Sequence, residues 1–577
     1  MRRALLCAGF VFVFAASLLA DSNLRIADVG LHGYYGTTAA VRLILRNPSL
    51  QPQSLHLQVA ADDQNGTTNA VTADVSLSGG EQREVELPIL MPGGNTVITA
   101  DAIAAGAVFG HDTYTGSRRE TNLIVLMCAS ESDCKTAQSQ IQFSGTIEER
   151  ADKNRQTAFE IVGDPRDHWW AYSASGAIVL AMPTAEFTPA QRDALEGFLR
   201  HGGRLVLLEQ EIADPSFLSA YRQAPAPSGG ERVGKGTLFR VSGLNANTLG
   251  DVFAGRNLPD FLNRHNTWWY SYQTSTMIRR FATSFDFPRL RWVLIWLAVY
   301  IVVIGILNFA VLRRLRRLEF GWISVCALAL LFAAGFYLSS ASRRPKSFRL
   351  DNLATYYLDA RSPLAAADYE LRVSVPQRQD VLISVADPAV FANSNSTGEE
   401  SNSQIWAEMN RQGVQVRRVY DVRLGPPRQI DLTMLKWSFH DLNLQGLHEF
   451  PGTIHFVAPN RLRNDTGQQF EEAVYLDYMS NALYALPKLA PGEEVQLDAI
   501  KSTPIFKKDQ NSPAWVGPGL DYNKQTLQDL TLTGDLQLSR TGRIFVGFSD
   551  GPALPVELNV SHQRNVHSLF VVVLEQP

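Results

Sequence analysis

Long uncharged stretches are the clearest feature of the hydrophobic pattern along this chain. Ala4 to Leu19 contains no charge, follows the basic Met1-Arg2-Arg3 and ends at the small residue Ala20. A basic start, an apolar run and a small residue are typical of an export signal. The pattern therefore predicts a signal peptide over residues 1–20.

Two more such stretches lie near the middle of the chain, at Trp292–Leu312 and Phe320–Leu338. Each is about 20 residues long, which is enough to cross a bilayer as a helix. Tryptophan and tyrosine near their ends favour membrane helices over the buried core helices of a soluble protein. The sequence predicts transmembrane helices over residues 292–312 and 320–340, joined by a loop over residues 313–319.

The predicted loop is basic, because it carries Arg313, Arg314, Arg316 and Arg317. Short loops rich in arginine stay in the cytoplasm. Export of the N-terminus independently requires the same orientation, since it places the preceding region outside. We therefore expect a bacterial inner-membrane protein with most of the chain extracytoplasmic. Neither helix contains a charged residue, so transport through these two helices alone is not expected.

Two regions show short strands separated by turn signals. In residues 21–118 the candidate strands include Ala40–Arg46 and Val71–Leu77, with Asn-Pro, Asn-Gly and Gly-Gly turns between neighbours. This spacing predicts a β-sandwich. Residues 345–577 continue in the same way, for example at Tyr369–Val375, and are predicted to form a mainly-β domain.

Residues 119–285 follow a different pattern. Leu123–Met127 and Gly176–Leu180 are continuous apolar runs, as expected for strands buried on both faces. Thr188 and Pro189 begin a helix that Gly202-Gly203 ends, and a further apolar run follows. Strand, helix and strand in this order predict a βαβ unit and a parallel sheet.

This region resembles the class I glutamine amidotransferase-like domain, which has a flavodoxin-like fold, over Ala177–Leu208 and the Gly234-Lys235-Gly236 turn. Enzymes of that family place a nucleophilic cysteine at a strand-to-helix turn. Here Ala181-Met182-Pro183-Thr184 follows the strand and contains no cysteine. The resemblance therefore implies the fold together with a non-catalytic domain.

Composition and charge are those of an ordinary folded protein. The chain has 577 residues, too many for one core, with 45% apolar and 19% charged residues and a net charge of -4. This charge gives no reason to expect a nucleic-acid partner. The sequence predicts a multidomain protein: a β-sandwich, a flavodoxin-like α/β domain, a two-helix transmembrane hairpin and a C-terminal mainly-β domain. We expect no cofactor and no metal site.

Two sequence features are candidates for a chemical role, one as a disulfide and one as a nucleophile. Cys128 and Cys134 lie six positions apart in an exported segment, which favours a disulfide over free thiols, and metal binding is disfavoured because no histidine neighbours them. Ser549 stands in a G-x-S-x-G pattern, which serves as a nucleophile only at a strand-to-helix turn. Pro552-Ala553-Leu554-Pro555 follows instead, so the sequence predicts a β-turn and no catalytic residue.

Two aromatic clusters are candidate binding residues. They contain Trp169-Trp170 and Trp268-Trp269. Such side chains can stack on sugars or anchor an interface. The alternative is packing in the core or, for the second pair, in an aromatic belt at the membrane surface.

The order of parts resembles that of a group of bacterial envelope membrane proteins for which no activity is established. The likeness rests on Tyr300–Leu318 with Gly321-Trp322, on Arg463–Gly467 and on Leu489–Glu493, while Ile306 departs from it. The resemblance implies this topology and an envelope setting. We expect a non-enzymatic scaffold whose exported parts bind other envelope or membrane proteins, or a glycan. An auxiliary transporter subunit and a hydrolase using Ser549 are the alternatives.

Overall fold

The structure, a computed structural model, describes residues 23–30, 38–62, 67–91, 96–116, 121–143, 156–173, 175–208, 217–218, 221, 230–243, 252, 290–342, 347–386, 391–393, 418–424, 427–434, 439–505 and 542–574. The predicted signal peptide and the pair Trp268-Trp269 lie outside these residues.

The described part of the chain is mostly β. The strands before the hairpin are β1 (Leu24–Val29), β2 (Thr38–Arg46), β3 (Gln53–Asp62), β4 (Thr67–Leu77), β5 (Gln82–Leu90), β6 (Thr96–Ala104), β7 (Ala107–Gly116), β8 (Thr121–Cys128), β9 (Gln156–Ile161), β10 (Ala177–Ala181), β11 (Arg204–Leu208), β12 (Glu231–Val233) and β13 (Gly236–Val241). The strands after it are β14 (Phe348–Asp359), β15 (Ser362–Ser374), β16 (Gln379–Val385), β17 (Phe391–Asn393), β18 (Arg418–Leu424), β19 (Arg428–Met434), β20 (Phe439–Glu449), β21 (Ile454–Ala458), β22 (Arg461–Asn464), β23 (Glu472–Asp477), β24 (Ala482–Leu486), β25 (Glu494–Gln496), β26 (Ser502–Pro504), β27 (Arg543–Ser549), β28 (Val556–Leu558) and β29 (His562–Leu574).

The main α-helices are α1 (Glu131–Phe143), α2 (Pro189–Arg200), α3 (Leu290–Ile301), α4 (Asn308–Arg314) and α5 (Gly321–Ser342). A π-helical turn at Val302–Leu307 joins α3 to α4. Short 3-10 turns lie at Trp169–Tyr172, Thr184–Glu186, Leu318–Phe320 and Leu497–Ala499.

One eight-stranded sheet, termed the shared sheet, contains strands from both sides of the hairpin in the order β28-β16-β19-β18-β4-β3-β6-β7. The two regions meet where β18 runs parallel to β4, with Arg418 opposite Thr67 and Leu424 opposite Ala73. Val422 in β18 packs against the cores on both sides of this seam. The predicted N-terminal sandwich and C-terminal β-domain therefore share a sheet, which their separate sequence patterns did not indicate.

Two further sheets cover the shared sheet. The N-terminal sheet, β1-β2-β5, packs against the half of the shared sheet formed by β4, β3, β6 and β7, around Leu43, Val59 and Ile98. The nine-stranded C-terminal sheet, β17-β20-β15-β14-β29-β27-β23-β24-β26, packs against the half formed by β28, β16, β19 and β18, around Tyr369 and Ile383. Alternate residues of β3 are buried, as expected for a strand with one face on a core. A small sheet, β21-β22-β25, lies beside them.

The parallel sheet has the order β12-β13-β11-β10-β8-β9, in which only β12 runs antiparallel to its neighbour. Every residue of β10 is buried, as its apolar run predicts. Thr188 caps α2 by accepting from the Gln191 backbone at 3.2 Å, while the Gln191 side chain accepts from the Thr188 backbone at 3.0 Å. A side chain at Gly236 would overlap the carbonyl oxygen of Leu199, so glycine allows α2 to approach β13.

The hairpin contains two helical segments, Leu294–Arg314 and Leu318–Leu338, that are long and apolar enough to cross a membrane. Their large apolar side chains are exposed, as at Trp322 and Leu330. Trp296 in the first segment meets Phe332 in the second, edge to face, at a centroid distance of 5.9 Å. Arg313 and Arg314 belong to the last turn of α4, so the connecting turn is shorter than the predicted loop.

Candidate functional site

Arg200 joins α2 to the C-terminal sheet. It is the last residue of α2, and its side chain is fully buried. Its guanidinium donates to the Asp359 carboxylate at 3.2 Å, the Ser362 hydroxyl at 2.8 Å and the Tyr221 hydroxyl at 3.0 Å. Tyr221 in turn donates to Asp359 at 2.8 Å. Asp359 and Ser362 flank the tight turn between β14 and β15, so α2 docks on this turn.

The charges of this contact are removed from water. Burial raises the pKa of Asp359 above its ordinary value, against the opposing influence of Arg200 and Tyr221. Glu196, one helical turn earlier, accepts from Nε of Arg200 at 2.8 Å, so each guanidinium nitrogen has an acceptor. Loss of one residue of the network would leave the charged or polar group of another residue buried without a hydrogen-bond partner, at a cost in free energy. The network therefore favours a single docking geometry.

Two further ion pairs surround this contact. Lys235 pairs with Asp368, and Arg361 pairs with Glu231. The ammonium of Lys235 also lies 4.1 Å from the centroid of the Tyr357 ring, within the range of a cation–π contact. In both pairs one residue precedes the hairpin and the other follows it. Together with the Arg200 network, these pairs form what we term the C-terminal joint.

His201 contributes a fourth contact to the C-terminal joint. Its Nδ1 lies 2.8 Å from the Gly197 carbonyl oxygen, and its Nε2 lies 3.0 Å from the Gly446 carbonyl oxygen in β20. A neutral imidazole can donate to only one of these acceptors. Burial lowers the pKa of His201 to about 4, although both carbonyl groups favour the protonated ring. At neutral pH the buried imidazole of His201 is therefore neutral, and it has one N–H donor for the two carbonyl acceptors.

Arg166 makes a second contact, which we term the N-terminal joint. It donates to Asp28 in β1 at 2.8 Å and to Glu86 in β5 at 3.2 Å. Both carboxylates stand opposite Arg42 of the intervening strand β2. Burial raises the pKa of Glu86 to about 7, and Arg42 opposes the shift. Ser173 adds a hydrogen bond to the Thr38 carbonyl at 2.5 Å, so this joint fixes the N-terminal sheet to the parallel sheet.

The candidate binding residues Trp169 and Trp170 lie inside the protein, at the 3-10 turn beside α2. They are 9% and 6% exposed, so neither presents a ring to an external ligand. Trp169 stacks on His201 with 3.8 Å between ring centroids, and Trp170 stacks on His168 at 4.9 Å. A side chain at Gly197 would overlap Trp169. The structure thus places Trp169 in the packing of the C-terminal joint and Trp170 in the same buried core.

Cys128 and Cys134 form a disulfide that links the end of β8 to the first turns of α1. In open parallel α/β sheets, ligands bind beyond the carboxyl ends of the strands where the strand order reverses. Here that point lies between β8 and β10. The backbone N–H of Ala129 donates to the Ala181 carbonyl across it at 3.1 Å. The disulfide and this backbone hydrogen bond both lie at the end of the sheet where a ligand would bind.

Ser549 is the last residue of β27 and pairs with Ser568 of β29. The segment after it runs through Pro552 to β28, without a helix among the described residues 550–558. The strand-to-helix turn that a G-x-S-x-G nucleophile requires is therefore not formed at this position.

The two segments behind the whole-chain resemblance, Arg463–Gly467 and Leu489–Glu493, lie against each other. The buried Asn464 amide donates to the Gln468 carbonyl at 2.7 Å and to the Ala490 carbonyl at 3.1 Å. The backbone carbonyl of Asn464 accepts from the backbone N–H of Gly492 at 2.6 Å. These hydrogen bonds join the turn after β22 to the turn before β25, so the two segments have a structural role.

The joint residues Arg200, Asp359 and Arg166 were not among the sequence-based candidates. A lone arginine at a helix end usually faces solvent, and nothing local marks an exception. The nearest signal is the Gly234-Lys235-Gly236 turn, which brings Lys235 beside the joint. In the described residues, no group of three or more His, Cys, Asp or Glu side chains is arranged to hold a metal ion.

No family model matches the chain, and no curated protein matches it. Among solved structures, it is similar to a beta-glucosidase from Listeria innocua, with 14% identity over 17% of this chain and 16% of that chain and a TM-score of 0.14. A Paenibacillus sp. cycloisomaltooligosaccharide glucanotransferase matches with 13% identity over 28% and 20%, TM-score 0.16. Beta-glucuronidase 2 from Bacteroides uniformis matches with 11% identity over 34% and 30%, TM-score 0.15. Each match covers well under two thirds of the other protein, and none carries an inference about activity.

Proposed function

We propose that this chain is a membrane-anchored, non-enzymatic scaffold of the bacterial envelope, whose extracytoplasmic body engages a protein or glycan partner. The observation that carries the proposal is the joining of the regions before and after the hairpin. They share one sheet through the β4–β18 seam and meet again in the C-terminal joint. A body built in this way is rigid and has two attachments to the hairpin.

The same joining supports the proposed topology. A sheet whose strands are hydrogen-bonded across the β4–β18 seam cannot be divided by a bilayer, because backbone groups in lipid must be satisfied internally. Both ends of the hairpin must therefore emerge on one face of the membrane. Two spans meet that requirement, whereas one span would not.

The parallel sheet serves, in this proposal, as an adaptor between two β regions. Its parallel strands β9-β8-β10-β11-β13 follow the order second, first, third, fourth, fifth, which supports the flavodoxin-like assignment. Its ligand-binding end is closed by the disulfide and the Ala129–Ala181 hydrogen bond. Its helix α2 is committed to the C-terminal joint. These features favour a role in positioning the two β regions over a role in catalysis.

The test is site-specific photo-cross-linking in cells of the native host. A cross-linker would replace Leu50, which is 93% exposed, or Met479, which is 61% exposed, and the matched control would replace the buried Leu57. We expect the exposed positions to capture a small, reproducible set of envelope or membrane proteins. If the exposed positions capture only what the buried control captures, the result would argue against a protein partner. Binding of purified cell-wall glycan to the chain would then be the measurement that tests the other partner class.

A further inference from the structure

The tip of the hairpin concentrates positive charge on a very short segment. Arg313 and Arg314 end α4, and Arg316 and Arg317 form the turn into the second segment. All four side chains are exposed. Within the described residues, none of them takes part in an ion pair, so their charge faces outward.

The turn keeps an arginine where glycine would be the less strained choice. The Arg316 backbone donates to the Arg313 carbonyl at 3.1 Å, and that of Arg317 donates to the Leu312 carbonyl at 3.1 Å. Arg316 has a φ of 53°, in the left-handed region where helix ends ordinarily use glycine. A fourth charge is therefore present at this position despite its conformational cost.

Apolar side chains alternate with these charges. Leu315 and Leu318 are 63% and 54% exposed, and Trp322, the second residue of α5, is 71% exposed. Leucine and tryptophan at this level partition into the boundary between headgroups and acyl chains. The guanidinium groups beside them then lie at the level of the lipid phosphates, which they can bind through two parallel hydrogen bonds.

We propose that this tip binds the phosphate groups of anionic phospholipids in the leaflet that it faces. The inference rests on the membrane anchoring proposed above and goes beyond it, since it assigns a ligand to the tip. The argument is charge complementarity: basic clusters next to a membrane helix attract anionic lipids. The four guanidinium groups take part in no ion pair among the described residues, and Arg317 also lies over the Phe320 ring at 5.8 Å. Lipid bound there would fix the depth of the hairpin beneath the rigid body.

The experiment uses the full-length chain reconstituted into lipid nanodiscs of phosphatidylcholine, alone or mixed with phosphatidylglycerol. Lipids that stay bound after transfer to detergent are counted by native mass spectrometry. We expect the unmodified chain to retain phosphatidylglycerol several-fold in preference to phosphatidylcholine. The quadruple variant R313Q/R314Q/R316Q/R317Q should lose this preference, and the corresponding lysine variant should keep part of it. R461Q/R463Q, which removes two exposed arginines from the body, is the matched control and should behave as the unmodified chain.

R316G separates loss of charge from a folding defect. Glycine suits the backbone conformation of the turn, and the substitution removes one charge of four. We expect it to fold normally and to retain measurably less phosphatidylglycerol. Equal retention of both lipids by a chain that enters nanodiscs would overturn the lipid site alone. A chain that fails to enter nanodiscs would overturn the anchoring as well. Preference for an acidic peptide over both lipids would reassign the tip to a protein partner.

Discussion

The guanidinium of Arg200 lies 3.2 Å from the carboxylate of Asp359, although 159 positions and both apolar helical segments of the hairpin separate them in sequence. Both groups are buried, so the pair is shielded from salt and water. It fixes the parallel sheet against the C-terminal sheet. Because the pair is buried, a substitution that removes one partner leaves the other without compensation.

Arg200→Ala should therefore destabilise the protein by about 3–5 kcal/mol, because Asp359 would remain buried without its partner. The free energy of unfolding, measured by denaturant titration of the detergent-solubilised chain, checks this. The double variant R200M/D359L should recover much of the loss, since no charge is then left buried. Lys135→Ala, which removes an exposed pair with Glu131, is the control and should change the value by about 0.5 kcal/mol or less. Equal effects of the two single substitutions would contradict a buried, energetically coupled joint.

Local order was predictable from the sequence where it depends on local pattern. The continuous apolar run at Leu123–Met127 predicted a strand buried on both faces, and Thr188-Pro189 predicted the start of α2, because each signal acts over a few residues. The partner of β4 could not be predicted, since the alternation in β4 and in β18 specifies a buried face and not a neighbour. Arg200 was missed for the same reason: its burial depends on a turn beyond the hairpin.

Glu86 in the N-terminal joint should make stability depend on pH. Its pKa is raised from 4.5 to about 7, so the folded state binds a proton that the unfolded state releases. This contribution is fully present below about pH 4.5 and is lost as pH rises through 7, with an upper bound of about 3 kcal/mol. In Glu86→Gln this contribution should disappear while the hydrogen bond to Arg166 is kept, so the pH dependence that remains should be that of His201 alone. Thermal unfolding midpoints from pH 4.5 to 8, compared between the two proteins, measure it; an unchanged profile would show that Glu86 stays ionised.

His201 in the C-terminal joint should change stability in the opposite direction over the same pH range. Its pKa is lowered from 6.5 to about 4, so the folded state releases a proton that the unfolded or undocked state would bind. Stability is fully present above pH 6.5 and falls as pH drops toward 4. Asp368 and Lys235 face the ring with opposing influences on its pKa.

The effect of His201 can be separated from that of Glu86 by His201→Gln, which keeps a donor for one carbonyl group and does not titrate. Limited proteolysis at pH 7 and pH 5 reports opening of the joint. We expect faster cleavage of the unmodified chain at pH 5 and little change for the variant. Because the two groups oppose each other, the unmodified protein should show a flatter profile than either single variant. A steeper one would mean that one of the two groups does not titrate in this range.

The position of the two β regions relative to the membrane gives the most direct check on the architecture. A reporter inserted at Leu50, in the turn between β2 and β3, lies before the hairpin, and one at Met479, in the turn between β23 and β24, lies after it. Because the β4–β18 seam and the Arg200–Asp359 pair join these regions, both reporters must give the same side, which we expect to be outside. A reporter at Leu315 should give the cytoplasm, and fusions to a known inner-membrane protein of each orientation calibrate the readout. Opposite sides for Leu50 and Met479 would be incompatible with one body, whereas the same pair read inside with Leu315 outside would keep the body and reverse only the orientation inferred from the arginines.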